Sequence, residues 1–323
     1  MNHVGDSLLE ICRRAKTELV LVAPFMKEEA VRRLISEVDK NVNVVCVTRW
    51  RPEEIKAGVS DLGVWNLLHE RPNGKVLLLH NLHAKYYRSD QECVVGSANL
   101  TLSALGWSAT PNVELLVPGS LDALMQWEED LFRTCVEADQ SLVHEMEKLV
   151  ARLPETLTLV TDEPSENSPE VGVQSNSNTN PWLPTLRYPD QLYLAYMGRL
   201  KELTLASRDL SLGDLSMLKL PQGLTEMSFN AIIGGILLQM PLIYKLDQFV
   251  TKPRRFGEIR AMLKSSEGVS PTLNVTEAGQ TLIRWLRHFL PDRYNLAVPN
   301  YSEIFYRADD KKTRQSEDYQ DTF

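Results

Sequence analysis

Residues 82–101, LHAKYYRSDQECVVGSANLT, carry two pairs of polar side chains, His83 with Lys85 and Ser97 with Asn99, each spaced i, i+2 among valines, leucines and tyrosines. In an extended strand alternate side chains share a face. His83 and Lys85 therefore point one way, while Ala84 and Tyr86 point the other, into a core. Ser97 and Asn99 repeat the pattern one strand further on. If the two strands are neighbours, an imidazole, an ammonium, a hydroxyl and an amide converge on one patch. Three of these groups donate hydrogen bonds, and a neutral imidazole can attack as a nucleophile. No carboxylate ligand set and no glycine-rich phosphate loop accompanies them. Donors combined with a cation suit a phosphate group.

The flanking sequence supplies the elements that hold such a patch. TELVLVAPFM (17–26) and NVNVVCVTRW (41–50) read as buried strands, with KEEAVRRLISEV between them as an amphipathic helix. A β-α-β order of this kind predicts parallel strands joined by a right-handed crossover. KVLLLHNL, HAKYYR and ECVVGSAN follow as short strands, and NVELLVPG (112–119) as another. Residues 120–153 repeat apolar positions at helical spacing and predict one long helix with Ser120 as N-cap. The expected fold is therefore α/β over residues 1–153.

Residues 154–185 hold 5 acids and no base amid Pro, Ser and Asn, which predicts a flexible, acidic linker. Residues 186–308 predict a second, mainly helical domain, and 309–323 a disordered tail. The most apolar run, AIIGGILLQMPLI (231–243), is too short to span a bilayer and reads as a buried helix. Net charge is −8, against indiscriminate coating of nucleic acid or membrane. Only 186–308 has a basic balance, with 15 Lys and Arg against 11 Asp and Glu, so a polyanion would be drawn there first. The four cysteines, Cys12, Cys46, Cys93 and Cys135, form no CxxC or Cys/His pattern. They read as reduced thiols of a cytoplasmic protein, with no metal site and no membrane partner expected.

HAKYYRSD matches a His-x-Lys-x4-Asp signature at His83, Lys85 and Asp90, and GSAN (96–99) matches the Gly-Ser-x-Asn that follows it. In these motifs the chain resembles the phospholipase D superfamily, over about residues 10–150. The spacer from Asp90 to Gly96 is one residue shorter than the family's commonest pattern. The resemblance implies a phospholipase D-like mixed sheet flanked by helices, with the second, mainly helical domain appended. It also implies that His83 attacks phosphorus, that Lys85, Ser97 and Asn99 hold the non-bridging oxygens, and that Glu114 orients His83. Asp90 is expected to be structural, and Gly96 belongs to the motif's turn. No cofactor or metal is implied. None of His3, His69, His80, His144 and His288 begins a second His-x-Lys. Single-motif relatives are typically nucleases, including metal-independent restriction endonucleases, that pair two copies around one site. The expectation is a homodimeric phosphodiesterase, an endonuclease on nucleic acid with DNA favoured over RNA. A role in bacterial genome defence beside a helicase, ATPase or other defence subunit fits that branch. The alternatives are a catalytically silent interaction protein and, less favoured, a phospholipase.

Weaker candidates remain. Arg49 and Arg51 end a predicted strand, where α/β sheets place ligand loops, so either a phosphate contact or a solvated turn suits them. His80 reads as a packed or surface histidine before a second catalyst, and Tyr87 and Trp107 as core residues before base-stacking ones. In the C-terminal part Lys252, Arg254, Arg255, Arg260 and Lys264 cluster around a short helix, and NVTEAGQTLIRWLRHFL follows. That order fits a winged-helix-like module that binds nucleic acid. A helical dimerisation or partner-binding domain with solvated basic faces fits it as well.

Overall fold

The computed structural model describes residues 3–90, 92–155, 182–299 and 302–308. The chain divides into two compact units that part near residue 157. The predicted linker falls largely on 156–181 and the predicted tail on 309–323, both outside the described residues.

In chain order the first unit contains α1 (Val4–Arg14), β1 (Glu18–Val22), α2 (Glu28–Ile35), β2 (Asn43–Thr48), α3 (Pro52–Lys56), α4 (Gly63–His69) and β3 (Gly74–Leu78). It continues with β4 (Tyr86–Ser89), β5 (Glu92–Gly96), β6 (Leu116–Pro118), α5 (Leu121–Thr134), β7 (Val136–Glu137) and α6 (Gln140–Ala151). Seven strands form one mixed sheet in the order β6-β5-β4-β1-β2-β3-β7. β1 and β2 pair in parallel across the α2 crossover, Val20 opposite Val45, as the β-α-β pattern predicts. Both are buried almost throughout, which explains their unbroken Val/Leu runs. β4 then lies antiparallel to β1, and β5 antiparallel to β4. Val20, Val22, Val45, Val47, Leu77 and Tyr86 form the core of one sheet face.

Two predicted elements differ. The single long helix over 120–153 is two helices, α5 and α6, separated by β7, which pairs with β3 at the sheet edge. Asp139 begins the second helix by accepting from the Leu142 amide at 2.8 Å. Ser120 occupies the N-cap position of α5 but its side chain makes no capping bond. Among the described residues the strand over 112–119 is confined to Leu116–Pro118.

The second unit contains α7 (Asp190–Tyr196), a short 3₁₀ turn, α8 (Leu205–Leu218), α9 (Glu226–Leu238) and α10 (Pro241–Phe249). β8 (Arg254–Arg255), α11 (Phe256–Ser265), α12 (Val275–Phe289), β9 (Tyr294–Ala297) and β10 (Ile304–Arg307) complete it. The apolar run 231–243 spans α9 and the start of α10, which meet at an 84° bend before Pro241. Among the described residues no single helix is long and apolar enough to cross a membrane, although this bent pair passes on length and composition. From Ala231 to Leu238 every residue of α9 is buried, as a core helix requires. Asp247 of α10 anchors the small sheet to the helices, accepting from Arg293, Tyr294 and Arg307. Cys12, Cys46 and Cys93 are buried, Cys135 is half-buried, and all four are unpaired thiols.

Candidate active site

β4 begins at Tyr86, so His83 and Lys85 sit in the extended segment that enters the strand and not within its ladder. His83 is exposed and Lys85 half-buried. The Lys85 ammonium donates to the His83 carbonyl oxygen at 3.0 Å, which ties the two residues together. Ser97 and Asn99 likewise lie just past the end of β5. Both polar pairs thus occupy the same end of two neighbouring antiparallel strands, where the ladder stops and side chains are released from the sheet.

Two hydrogen bonds hold these segments against each other. The Gly96 amide donates to the Lys85 carbonyl at 3.4 Å, extending the strand pairing by one rung. The Tyr87 hydroxyl, buried at 0% exposure, donates to the Ala98 carbonyl at 2.6 Å. This clips the loop between Ser97 and Asn99 to the strand that carries His83 and Lys85. Gly96 has no room for a side chain, because a Cβ there would stand 1.9 Å from the Leu115 carbonyl oxygen. The glycine of GSAN is thus a close-approach residue that lets 114–116 cross over the loop.

That crossing segment brings in Glu114. Its carboxylate accepts from the Ser97 hydroxyl and, at 3.2 Å, from the Asn112 side-chain amide. The Ser97 oxygen in turn accepts from the Leu115 amide at 3.1 Å. Glu114 is therefore seated in the patch and orients Ser97. The side-chain oxygen of Asn99 is closed to solvent and has no hydrogen-bond partner among the described residues. Asn99 and Asn112 also line a cleft of about 820 Å³ that extends past Phe25 to Lys27 and Arg32.

Asp90 lies at the far end of β4. It accepts from the backbone amides of Lys16, Thr17 and Glu18, at 2.5, 3.0 and 2.9 Å, where the chain enters β1. Burial pushes its carboxyl up, but these amides outweigh burial and hold it below its ordinary value. It fixes the β4–β5 turn to the start of the central strand.

Arg49 and Arg51 are interior residues, 4% and 9% exposed. Arg49 pairs in bidentate fashion with Glu54 at 2.5 and 3.1 Å, and Arg51 pairs with Glu53 at 2.7 Å. Burial pushes the Glu54 carboxyl up to about 7 against the pull of Arg49 and Arg51. A phosphate contact and a solvated turn suit the sequence equally; in the structure both guanidiniums are buried in ion pairs. Arg49 reaches the site from below, donating to the Leu82 carbonyl at 3.0 Å, one residue before His83. The β4 strand is also braced by Arg88, which binds Glu128 of α5 at 2.7 and 2.8 Å. Tyr87 is a core residue with a positioning hydrogen bond, and Trp107 is half-buried under the Arg33 guanidinium at 4.0 Å. His80 is half-buried. Among the described residues no group of three or more His, Cys, Asp or Glu side chains is placed to hold a metal ion.

In the second unit Lys252, Arg255 and Arg260 are exposed. Arg254 is not available in the same way. Its guanidinium lies 4.2 Å over the Phe249 ring and bonds the Phe249 carbonyl and Glu258.

No protein-family model matches the sequence, and no curated protein matches it. Solved structures do. NucT from Helicobacter pylori is 17% identical with a TM-score of 0.32, over 41% of this chain and 89% of that one. Nuc from Salmonella typhimurium, described as a phospholipase D family member, is 18% identical with a TM-score of 0.33, over 42% and 90%. Each likeness covers about two-fifths of this chain.

Proposed function

We propose that the chain is a metal-independent phosphodiesterase, a nuclease that cleaves nucleic acid, DNA before RNA, through a phosphohistidine intermediate. The observation that carries this reading is the Tyr87–Ala98 clip, which places the His83–Lys85 segment beside the Ser97–Asn99 loop at one end of the sheet. An imidazole, an ammonium and neutral donors gathered at a strand end match the needs of phosphoryl transfer. The cleft beside Asn99 gives the substrate chain a place to lie.

In the proposed reaction the neutral imidazole of His83 forms a bond to phosphorus as the bond from phosphorus to the departing oxygen breaks. A second, protonated imidazole gives its proton to that alkoxide. It then takes a proton from water, whose oxygen attacks phosphorus and releases His83. Lys85, Ser97 and Asn99 balance the charge that builds on the non-bridging oxygens. Glu114 keeps the Ser97 hydroxyl in place.

The second imidazole is proposed to be His83 of a second copy, which makes the active unit a homodimer. An apolar surface suited to such pairing lies beside the site. Val113, Leu115 and Val117 are 103%, 61% and 41% exposed around Glu114, at the free edge of the sheet. A role in genome defence, alongside a helicase or other defence subunit, belongs to the same reading and rests on the motif resemblance, and a cytoplasmic setting rests on the reduced cysteines.

The test is incubation of purified chain with plasmid, with single-stranded oligonucleotides and with phospholipid vesicles, all in chelator, beside a His83→Ala control. Cleavage of nucleic acid that His83→Ala abolishes is expected. Release of lipid headgroup alone, or no hydrolysis of any substrate, would overturn the proposal.

A further inference from the structure

The second unit carries a surface that the catalytic reading does not use. From α10 onward its order is helix, β8, α11, α12, then the β9–β10 hairpin, and the three strands pair antiparallel as β8-β10-β9. The first short strand therefore closes onto the last, so that two helices are framed by a β-ribbon. α11 and α12 touch closely at Gly279, where an added Cβ would lie 3.2 Å from Leu263 and 3.3 Å from Phe256. This order and strand pairing are similar to those of a winged-helix module, with α11 and α12 joined across residues 266–274. Topology alone does not establish binding.

Residues 252–264 contain five bases, Lys252, Arg254, Arg255, Arg260 and Lys264, and a single acid, Glu258. Glu258 is occupied, accepting from the Arg255 amide at 2.9 Å and from Arg254 at 3.1 Å. Arg254 is spent on this contact and on Phe249. Lys252, Arg255, Arg260 and Lys264 remain, all exposed and with no ion pair among the described residues. On α11, Arg260 and Lys264 stand one turn apart, and the residues at the same spacing, Gly257 and Ala261, are small and exposed. A Cβ at Gly257 would meet nothing within 4 Å. A basic face with no bulky side chains allows a phosphate backbone to come close. On a chain of net charge −8, concentrating cations in this way produces a local field opposite to that of the whole molecule.

We infer that the second unit binds double-stranded DNA through its phosphates, with Lys252, Arg255, Arg260 and Lys264 as the contact residues. The contact is independent of base sequence, because these side chains meet backbone and not base edges. It stands apart from the catalytic reading and holds whether or not His83 is a nucleophile.

The experiment measures binding of a labelled duplex by fluorescence anisotropy across a salt series, with the full chain carrying His83→Ala in chelator so that cleavage cannot intervene. The comparison is with the same chain bearing Lys252→Ala, Arg255→Ala, Arg260→Ala and Lys264→Ala. Circular dichroism checks its fold, and an Arg260→Glu, Lys264→Glu pair serves as a second, smaller perturbation. A Lys40→Ala variant on the first unit controls for general loss of charge. If four phosphate contacts are lost, the slope of log K against log salt falls by about three to four. Affinity at low salt drops on the order of 100-fold or more, and Lys40→Ala leaves both unchanged. An unchanged slope and affinity in both α11 variants would overturn the inference. So would binding of single strands or RNA with no binding of duplex.

Discussion

Arg49 donates from its buried guanidinium to the Leu82 carbonyl oxygen at 3.0 Å, immediately before His83 in the chain. The same guanidinium is held from behind by Glu54. A planar fork grips the Glu54 carboxylate with two parallel bonds while a third N–H reaches Leu82, a geometry that the single nitrogen of an ammonium does not reproduce. Arg49→Lys keeps the charge and loosens the backbone on which His83 sits. A small misplacement of a catalytic group costs on the order of 10- to 100-fold in rate. Steady-state kinetics of Arg49→Lys should show kcat lowered by about that factor with KM little changed, because Arg49 acts through Leu82 and does not touch substrate. A rise in KM at unchanged kcat would assign it to substrate binding.

The Ser97 hydroxyl, the Glu114 carboxylate and the Asn112 amide form one hydrogen-bonded chain. Groups linked in this way do not act additively when removed. Ser97→Ala and Glu114→Gln should each lower kcat, and the double variant should be little worse than the poorer single one. The corresponding coupling energy is on the order of 1 kcal/mol. Additive losses would place Glu114 on a task separate from Ser97.

Asp247 shows how pH should act on the second unit. Burial raises its carboxyl, but Arg293, Tyr294 and Arg307 overcome burial and hold it below the ordinary carboxylate value. A folded-state pKa below the unfolded one gives stabilisation that is present above the unfolded value and lost as pH falls through the folded one. Chemical denaturation should show Asp247→Asn destabilised by about 3 kcal/mol or more at neutral pH, since a buried ion pair with Arg293 is broken. The gap to the parent protein should narrow in acid. A gap that stays constant with falling pH would contradict this assignment.

The strands were legible where burial is complete. β1 and β2 carry unbroken Val/Leu runs, and their parallel pairing followed from the helix between them. The candidate site residues stand out by spacing, because His-x-Lys and Gly-Ser-x-Asn place unlike polar groups where apolar residues belong. The supporting shell does not. Tyr87 looked like an ordinary core aromatic, and only the fold brings its hydroxyl to Ala98. Arg49 and Arg51 looked like surface cations, because their partners Glu53 and Glu54 also suit a solvated turn. The break between α5 and α6 was hidden because apolar spacing continues across it. Its signals were the β-branched Val136 and the N-cap Asp139.

The proposed pairing of His83 with a second imidazole requires the two to hold opposite protonation states during one turnover, which imposes a pH limit on both sides. Phosphodiester cleavage should therefore rise and then fall between about pH 5 and 8, the range in which histidine ordinarily changes charge. Initial rates across that range test this, and a flat profile would speak against paired histidines.

In the proposed reaction the His83 ring forms a covalent bond to phosphorus. Rapid quenching of the full chain with a labelled oligonucleotide in chelator, followed by peptide mapping under alkaline conditions, tests it directly. An acid-labile phosphoryl adduct is expected on the peptide that contains His83, absent from His83→Ala. Cleavage that proceeds with no adduct, or an adduct that persists in His83→Ala, would contradict it.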